Sequence, residues 1–216
     1  MGQILLFFSR DNIRNIAINC IFASIMNIYI NEEIEKFDLD DALLHLSSQR
    51  YEQVMRFKFE KGRKLCAAAY LLLCKGIREV YGIEELPIFT YGQHGKPSIV
   101  GHPEIHFNLS HCPSVVICGI STNPIGVDVE SIRHANDSLI RYTMNEAEAC
   151  MIMDSANMDV AFTRLWTMKE ALMKQQGTGI DDRIKNILTA PHVPIKTVFN
   201  EEKGYVYSIA CEDIHN

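Results

Sequence analysis

Residues 105–130 read IHFNLSHCPSVVICGISTNPIGVDVE, three short apolar runs separated by two polar segments that contain proline. β-Branched residues favour strands, whereas proline and small polar residues favour turns. The pattern therefore predicts three consecutive strands joined by tight connections. The predicted strands are Ile105–Leu109, Val115–Ile120 and Ile125–Glu130.

Helical patterns lie on both sides of these strands. The segments with helical spacing are 39–46, 49–80 with a break expected near Gly62, 145–153 and 160–176. Residues 26–31 form a further predicted strand, and residues 195–211 alternate weakly around a turn at 201–204. Packed helices combined with antiparallel hairpins indicate an α+β fold.

The composition is that of an ordinary folded protein. The 216 residues are 47% hydrophobic and 22% charged, which excludes disordered, collagen-like and coiled-coil chains and allows one or two domains. A net charge of −6 argues against binding to nucleic acid through the overall charge of the protein. The apolar runs are shorter than the roughly 20 residues that span a bilayer. The seven cysteines include no C-x-x-C pair. We expect a cytoplasmic protein that binds neither nucleic acid nor membrane.

The third predicted strand carries two carboxylates. Side chains alternate between the two faces of a strand, so Asp128 and Glu130 share one face while Val127 and Val129 occupy the other. Neighbouring carboxylates repel each other unless water or a cation surrounds them, and Mg²⁺ is a cation that proteins hold through one or two carboxylates. Taken alone, the pair fits a half-exposed strand with a polar outer face more often than a metal site.

A polar stripe lies on the helix predicted at 160–176. Trp166, Glu170 and Lys174 are spaced four residues apart and therefore lie on one side of the helix. Glutamate four residues before lysine is also the order of an ordinary surface ion pair, worth about 0.2–0.5 kcal/mol. The stripe alone is compatible with a functional site and with a solvated helix face.

Two short segments are candidates for contact with phosphate. In Gly95-Lys96-Pro97 the glycine permits a turn and the proline fixes its exit, which would hold the lysine cation in place. Ser110-His111 would place a hydroxyl and an imidazole at the end of a strand, although a structural histidine is an equally good interpretation. A basic run, either a solvated face or a phosphate-binding patch, comprises Arg56, Lys58, Lys61, Arg63 and Lys64.

The motifs occur in a fixed order: G-K-P (95–97), F-N-L-S-H (107–111), G-V-D-V-E (126–130) and W-T-M-K-E-A-L-M-K (166–174). In this order, the chain from about Met26 to the C-terminus resembles the 4′-phosphopantetheinyl transferase superfamily, in particular the surfactin-synthetase-activator type. The resemblance implies an α+β fold of two similar α/β lobes related by pseudo-two-fold symmetry, each like the holo-acyl-carrier-protein-synthase fold.

The resemblance also implies a domain organisation. The lobes are expected at residues 26–120 and 121–216, with the active site at their interface. The chain is expected to be a monomer, because its two halves would supply what a smaller relative obtains by oligomerising. Residues 1–25 have no counterpart in the resemblance, and we expect them to be dispensable or translation to begin at Met26.

The reaction follows from the same resemblance. Enzymes of this family transfer 4′-phosphopantetheine from coenzyme A to a serine of an apo carrier protein, acyl or peptidyl, and release 3′,5′-ADP. The reaction depends on Mg²⁺. The carriers serve fatty-acid, polyketide or nonribosomal-peptide synthesis, and the sequence does not single out one of these pathways.

The family's site residues correspond to particular positions of this chain. The metal ligands would be Asp128, Glu130 and Glu170. Catalysis would depend on Asp128, on Glu170 as acceptor of the serine proton, directly or through water, and on Lys174 beside the departing phosphate. The coenzyme-binding residues would be Lys61, Arg63, Lys64, Gly95, Lys96, Pro97, Ser110, His111, Lys169 and Lys174. Lys64 stands where the family has an arginine and lacks its bidentate fork.

Three other interpretations of the sequence remain open. The chain could be a non-catalytic relative that binds coenzyme A, although all three expected metal carboxylates are present. The acidic residues could belong to a Mg²⁺-dependent phosphohydrolase, which would need no carrier protein. A metal-free hydrolase built on Ser110 and His111 is the third, but the sequence has no G-x-S-x-G motif.

Overall fold

The structure, a computed structural model, describes residues 13–19, 25–179, 182–189, 193–212 and 214, and for residues 13–19 and 25 the backbone alone. The strands are β1 (Ile13–Asn19), β2 (Ile25–Asn31), β3 (Phe89–Tyr91), β4 (Pro97–Ile99), β5 (His106–Cys112), β6 (Val115–Ser121), β7 (Ile125–Ser131), β8 (Ile195–Asn200) and β9 (Tyr205–Cys211). The helices are α1 (Leu39–Leu43), α2 (Ser48–Met55), α3 (Glu60–Tyr81), α4 (Asp137–Thr143), α5 (Glu146–Met153) and α6 (Met158–Gln176). Short 3-10 turns cover Ile34–Lys36 and Asp182–Lys185.

The two larger sheets pack face to face between two helices. The first sheet has the antiparallel order β1-β2-β6-β5, and the second has the order β7-β9-β8. Alternate residues of β6 face opposite sides: Val116, Cys118 and Ile120 pack against α3, whereas Val115 and Ile117 join the core shared with the second sheet. Helix α6 covers the outer face of the second sheet. This is the mixed α+β architecture that the sequence predicts.

The order of elements is similar in the two halves of the chain. In the first half, β2 is followed by three helices and by the antiparallel pair β5 and β6, with β6 between β2 and β5 in the sheet. In the second half, β7 is followed by α4, α5 and α6 and by the pair β8 and β9, with β9 between β7 and β8. Among the described residues, the hairpin of β3 and β4 has no counterpart in the second half.

Strand β1 lies within the segment for which the resemblance offers no counterpart. It pairs along its whole length with β2, from Ile13 opposite Asn31 to Asn19 opposite Ile25. The remaining positions of 1–24 lie outside the described residues. That residues 1–25 are dispensable stays a prediction.

The helical segment predicted at 49–80 is interrupted shortly before Gly62. The chain leaves the helical path at residues 56–59, and Gly62 lies inside α3. A Cβ atom at Gly62 would lie 2.7 Å from Cδ1 of Phe57, so the glycine leaves room for that ring against the first turn of α3. The break expected near Gly62 therefore lies a few residues earlier in the chain.

Most other elements confirm the predictions from the sequence. The three strands within 105–130 differ from the prediction by a few terminal residues. Asn145 caps α5 in a capping box with Glu148, and Gly177 ends α6 in a left-handed conformation with φ of 69°. Helix α4 and strand β4 were not predicted, since both are short. Within the described ranges, no helix combines the length and apolarity needed to cross a membrane.

Strand β7 lies very close to helix α6 at Gly126. A Cβ atom built on Gly126 would lie 1.9 Å from the backbone oxygen of Ala171 and 2.3 Å from the backbone nitrogen of Gln175. Both neighbours are helix backbone, which cannot rotate away as a flexible side chain can. Glycine is therefore required for β7 and α6 to approach at this separation.

We expect Gly126→Ala to destabilise the protein by at least about 2 kcal/mol, because the added methyl group must push α6 away from β7. Urea unfolding of the variant measures the change in the free energy of unfolding. Gly92→Ala is the matched control, since its Cβ would meet only the oxygen of Lys96 at 3.7 Å. Equal stability of the two variants would contradict the close packing of β7 on α6.

Candidate functional site

A cavity of about 240 Å³ opens between the turn that joins β3 to β4 and the C-terminal end of α6. Its lining residues are His94, Gly95, Lys96, Pro97, Asn108, Glu170, Met173, Lys174, Gly177 and Gly179. The fold therefore brings the G-K-P turn to the same cavity as two residues of the polar stripe on α6. Two lysines and one glutamate in this lining give the cavity mixed charge.

A network of three polar side chains connects this cavity to β7. Lys174 Nζ donates to Asp128 Oδ1 at 2.6 Å and to Ser110 Oγ at 3.1 Å. Ser110 Oγ in turn donates to Asp128 Oδ1 at 2.9 Å. Asp128 is nearly buried, with 5% of its side chain exposed, whereas 28% of the Lys174 side chain is exposed. The lysine cation thus compensates a carboxylate that has little access to water.

The second oxygen of Asp128 has no such compensation. Oδ2 is buried and has no hydrogen-bond partner among the described residues. A buried carboxylate oxygen without a donor is costly, because the charge has lost its hydration. The position is therefore suited to a cation or a donor that a ligand would supply.

The carboxyl groups of Glu130 and Glu170 lie close enough to Asp128 for its charge to influence their pKa values. Burial raises the pKa of Glu130, and repulsion from the Asp128 carboxylate raises it further. Burial also raises the pKa of Glu170; Lys174 opposes this shift, and Asp128 and Glu130 add to it. Burial and mutual repulsion thus disfavour the ionised forms of Glu130 and Glu170 on the side of β7 that faces α6.

The donor set of these three carboxylates suits a hard cation such as Mg²⁺. Within the described ranges, no three His, Cys, Asp or Glu side chains are already arranged as a metal-binding group. Oδ2 of Asp128 is a buried carboxylate oxygen without a hydrogen-bond partner among the described residues, and the carboxyl groups of Glu130 and Glu170 lie close to it. This donor chemistry is compatible with a divalent cation.

Trp166, the third member of the stripe, supports the site from outside the cavity. Its ring stacks on Phe162 with centroids 6.3 Å apart, and the Arg133 guanidinium lies 5.8 Å from its centroid. Trp166 opposes the rise in the pKa of Glu130, and its buried indole nitrogen has no hydrogen-bond partner among the described residues. Trp166 therefore contributes packing and a weak dipole next to Glu130.

Lys96 connects the turn before β4 to the second sheet and its helix. Its Nζ donates to the backbone oxygen of Gln175 at 2.8 Å and to that of Ile125 at 3.2 Å. Gln175 lies in the last turn of α6, where backbone oxygens carry partial negative charge. Burial lowers the pKa of Lys96 to about 8.

His111 follows Ser110 on β5 near the same lysine. Burial of part of the ring, and then the Lys174 cation, lower the pKa of His111 below its usual value. The imidazole is therefore neutral at pH 7 and offers a hydrogen bond to a ligand without adding charge.

Comparison with known proteins finds similarity to one family. A model of the 4′-phosphopantetheinyl transferase superfamily matches residues 124–211, the segment from the start of β7 to the end of β9. The 4′-phosphopantetheinyl transferase ffp of Bacillus subtilis is 27% identical over 205 residues, which cover 87% of this chain and 91% of that protein. The chain is thus similar to members of the 4′-phosphopantetheinyl transferase superfamily.

Two further relatives carry the same description. The 4′-phosphopantetheinyl transferase Sfp of Bacillus subtilis (strain 168) is 26% identical over 159 residues, or 72% of this chain and 71% of that protein. The 4′-phosphopantetheinyl transferase HetI of Nostoc sp. is 30% identical over 151 residues, or 66% of this chain and 64% of that protein. The family resemblance of the sequence motifs is thereby confirmed.

Lys169, in the W-T-M-K-E-A-L-M-K motif, lies away from the cavity. Lys169 is completely buried, and its Nζ donates to the backbone oxygens of Ile184 and Lys185 at 2.7 and 3.0 Å. It also forms an ion pair of 2.8 Å with Glu148. An ammonium group has three protons, and these three contacts use them all. The expectation that Lys169 binds coenzyme A is therefore corrected: it joins α5, α6 and the turn at 182–185.

The basic run does not contribute to the cavity lining. Lys64 Nζ pairs with Glu60 at 3.1 Å, and Arg63 Nε donates to the backbone oxygen of Phe57 at 2.9 Å. Lys61 is exposed at the start of α3. The expectation that these residues bind coenzyme A stays a prediction.

Several lining residues lay outside the sequence-based set. His94, Met173, Gly177 and Gly179 flank predicted positions, and the helix-ending glycines could have indicated a cavity at that end of α6. Nothing in the sequence indicated that Asn108 would line the cavity. It lies in the F-N-L-S-H motif, but its role depends on β7, which is distant in sequence.

We expect the stability difference between the wild type and Lys96→Met to depend on pH. The pKa of Lys96 is lower in the folded state than its ordinary value of 10.5. Between about pH 8 and 10.5 the unfolded state therefore binds more protons, and this residue's contribution to stability rises with pH. Urea unfolding of both proteins at pH 7, 8 and 9 measures it, and parallel pH profiles would contradict the burial of the cation.

We expect Lys169→Met to lose about 3–5 kcal/mol of stability, because it leaves the buried Glu148 carboxylate without its cation. The KM for coenzyme A is expected to stay unchanged at a temperature where the variant is folded. Lys196→Met, at an exposed position of β8, serves as the control. If Lys169→Met kept wild-type stability but bound coenzyme A more weakly, the result would show that Lys169 does contact the coenzyme.

Proposed function

We propose that the protein transfers 4′-phosphopantetheine from coenzyme A to a serine of an apo carrier protein, acyl or peptidyl, and releases 3′,5′-ADP. The observation that carries the proposal is that Lys96, Lys174 and Glu170 line one cavity, while Asp128 and Glu130 on β7 lie next to Lys174 and Glu170. The relatives named above, each described as a 4′-phosphopantetheinyl transferase, support it.

Lys96 and Lys174 would receive the phosphates of coenzyme A. Both line the cavity, and each ammonium is held in place by hydrogen bonds to the protein. A positioned cation is already oriented when the substrate arrives, so little of its attraction is lost in reorganisation. The turn around Gly95 and Pro97 would contact the adenine and ribose side of the coenzyme.

The transfer exchanges one phosphorus–oxygen bond for another. The oxygen of the carrier serine bonds to the phosphorus attached to pantetheine, and the bond from that phosphorus to the ADP phosphate breaks. Glu170 would accept the serine proton, for which the raised pKa of its buried carboxyl is favourable. Lys174 would neutralise the charge that develops on the departing phosphate.

Asp128, Glu130 and Glu170 would hold Mg²⁺, with Oδ2 of Asp128 as the ligand that is already buried and free. When bound, Mg²⁺ neutralises diphosphate charge and so favours phosphoryl transfer. Glu170 serves as a proton acceptor only to the extent that it is not a tight ligand. The two roles therefore compete for one carboxylate.

We also propose that residues 26–120 and 121–216 form two similar lobes related by pseudo-two-fold symmetry, with the active site between them. The repeated order of one strand, three helices and two strands supports this division. A chain that contains both lobes would act as a monomer, and the substrates of the reaction are those of the cytoplasm. Coenzyme A and the carrier protein are the expected partners.

The transfer is tested by incubating the protein with coenzyme A, Mg²⁺ and a panel of apo carrier proteins, followed by intact-mass analysis. We expect at least one carrier to gain the phosphopantetheine mass. Glu170→Gln is expected to slow the gain by at least about 100-fold, because it removes the proton acceptor and a metal ligand.

Glu35→Gln, at an exposed position remote from β7 in the sequence, is the control and is expected to keep the wild-type rate. No mass gain on any carrier would contradict the transferase function. Hydrolysis of the diphosphate of coenzyme A in the absence of carrier would favour a phosphohydrolase. Normal turnover of Glu170→Gln would remove both roles proposed for that residue.

A further inference from the structure

Side chains of β5, rather than its backbone, hold the edge of β7. The backbone nitrogen of Val127 donates to Asn108 Oδ1 at 2.9 Å, and that of Val129 donates to Ser110 Oγ at 3.3 Å. Amides two residues apart on a strand point to the same edge, and Asp128 lies between these two. The carboxylate is thus carried by a short segment that is anchored on both sides.

The hydroxyl of Ser110 has used its whole hydrogen-bonding capacity. It donates to Asp128 Oδ1, and it accepts from the backbone nitrogen of Val129 and from Lys174 Nζ. A serine hydroxyl has one donor and two acceptor positions, so all three are occupied. Only 8% of the residue is exposed, so in the unliganded protein the hydroxyl is committed to these three partners.

Asn108 is anchored in a different way. The Val127 amide requires an acceptor, which fixes the oxygen of Asn108 toward β7 and leaves its amide nitrogen on the other side. That nitrogen has no hydrogen bond to the described residues, while Asn108 lines the cavity. One amide group therefore reaches both β7 and the cavity.

We propose that Asn108 and Ser110 are positioning residues that fix β7, so that Oδ1 of Asp128 is occupied and Oδ2 is presented to the site. Ser110 acts through Asp128 and Lys174. The proposal rests on the proposed function for its kinetic consequences alone. Its structural consequences follow from the hydrogen bonds and can be measured separately.

The kinetic test compares Ser110→Ala with Thr197→Val. Thr197 is a control because its hydroxyl bonds to Ser208 Oγ at 2.8 Å between β8 and β9, outside the cavity lining. Ser110→Ala is expected to lower kcat and to raise the Mg²⁺ concentration for half-maximal rate by about 10- to 100-fold, as for other partners that orient metal ligands. The KM for coenzyme A is expected to stay within about twofold, since no contact to the coenzyme is removed.

An approximately tenfold rise in KM with unchanged kcat would overturn the proposal, because it would make Ser110 a coenzyme ligand. Unchanged kinetics with reduced stability, as expected for Thr197→Val, would overturn it as well. Binding of Mn²⁺ to the protein without substrates, followed by electron paramagnetic resonance, is expected to weaken in Ser110→Ala and not in the control. This readout does not depend on turnover.

Amide hydrogen exchange tests the two anchors one at a time. Ser110→Ala is expected to accelerate exchange at Val129 more than at Val127, and Asn108→Ala is expected to do the reverse. Uniform acceleration along β7 in both variants would contradict separate anchors. If the wild type modifies no carrier, the proposed function fails, while the exchange and Mn²⁺ experiments still decide whether these residues position Asp128.

Discussion

The edge contact between β5 and β7 is the constraint on which the site depends. The backbone amides of Val127 and Val129 are held by the side chains of Asn108 and Ser110, so the first sheet stops at β5 and the second starts at β7. This arrangement lets one face of β7 pack on the first sheet while the other face receives α6. Asp128 and Glu130 lie on the second face, opposite Glu170 and Lys174 on the helix.

Charge at this junction is only partly balanced within the protein itself. Lys174 occupies one oxygen of Asp128, while the other oxygen is buried and free, and Glu130 and Glu170 have raised pKa values. Such a cluster lowers stability in the unliganded state, and functional sites are where proteins tolerate this cost. A divalent cation would balance the charge of these carboxylates, and the phosphates of a substrate would balance the lysine cations of the cavity.

The sequence could predict those features that depend on local pattern. The strands of 105–130 follow from alternation and turn residues, and the shared face of Asp128 and Glu130 follows from a period of two. It could not predict that Phe57 covers Gly62, nor that Asn108 serves β7, because both depend on contacts made after folding. Lys169 shows the limit of motif matching: it adjoins Glu170 in sequence, but lies on the opposite, buried side of the stripe.

A crystal structure with coenzyme A and Mn²⁺ in place of Mg²⁺ tests the central claim most directly, since the anomalous signal of manganese locates the cation. The account predicts one peak beside Oδ2 of Asp128, with the diphosphate of coenzyme A in the cavity against Lys174 and Lys96. A cation bound away from Asp128, or a coenzyme outside the cavity between the G-K-P turn and α6, would contradict it.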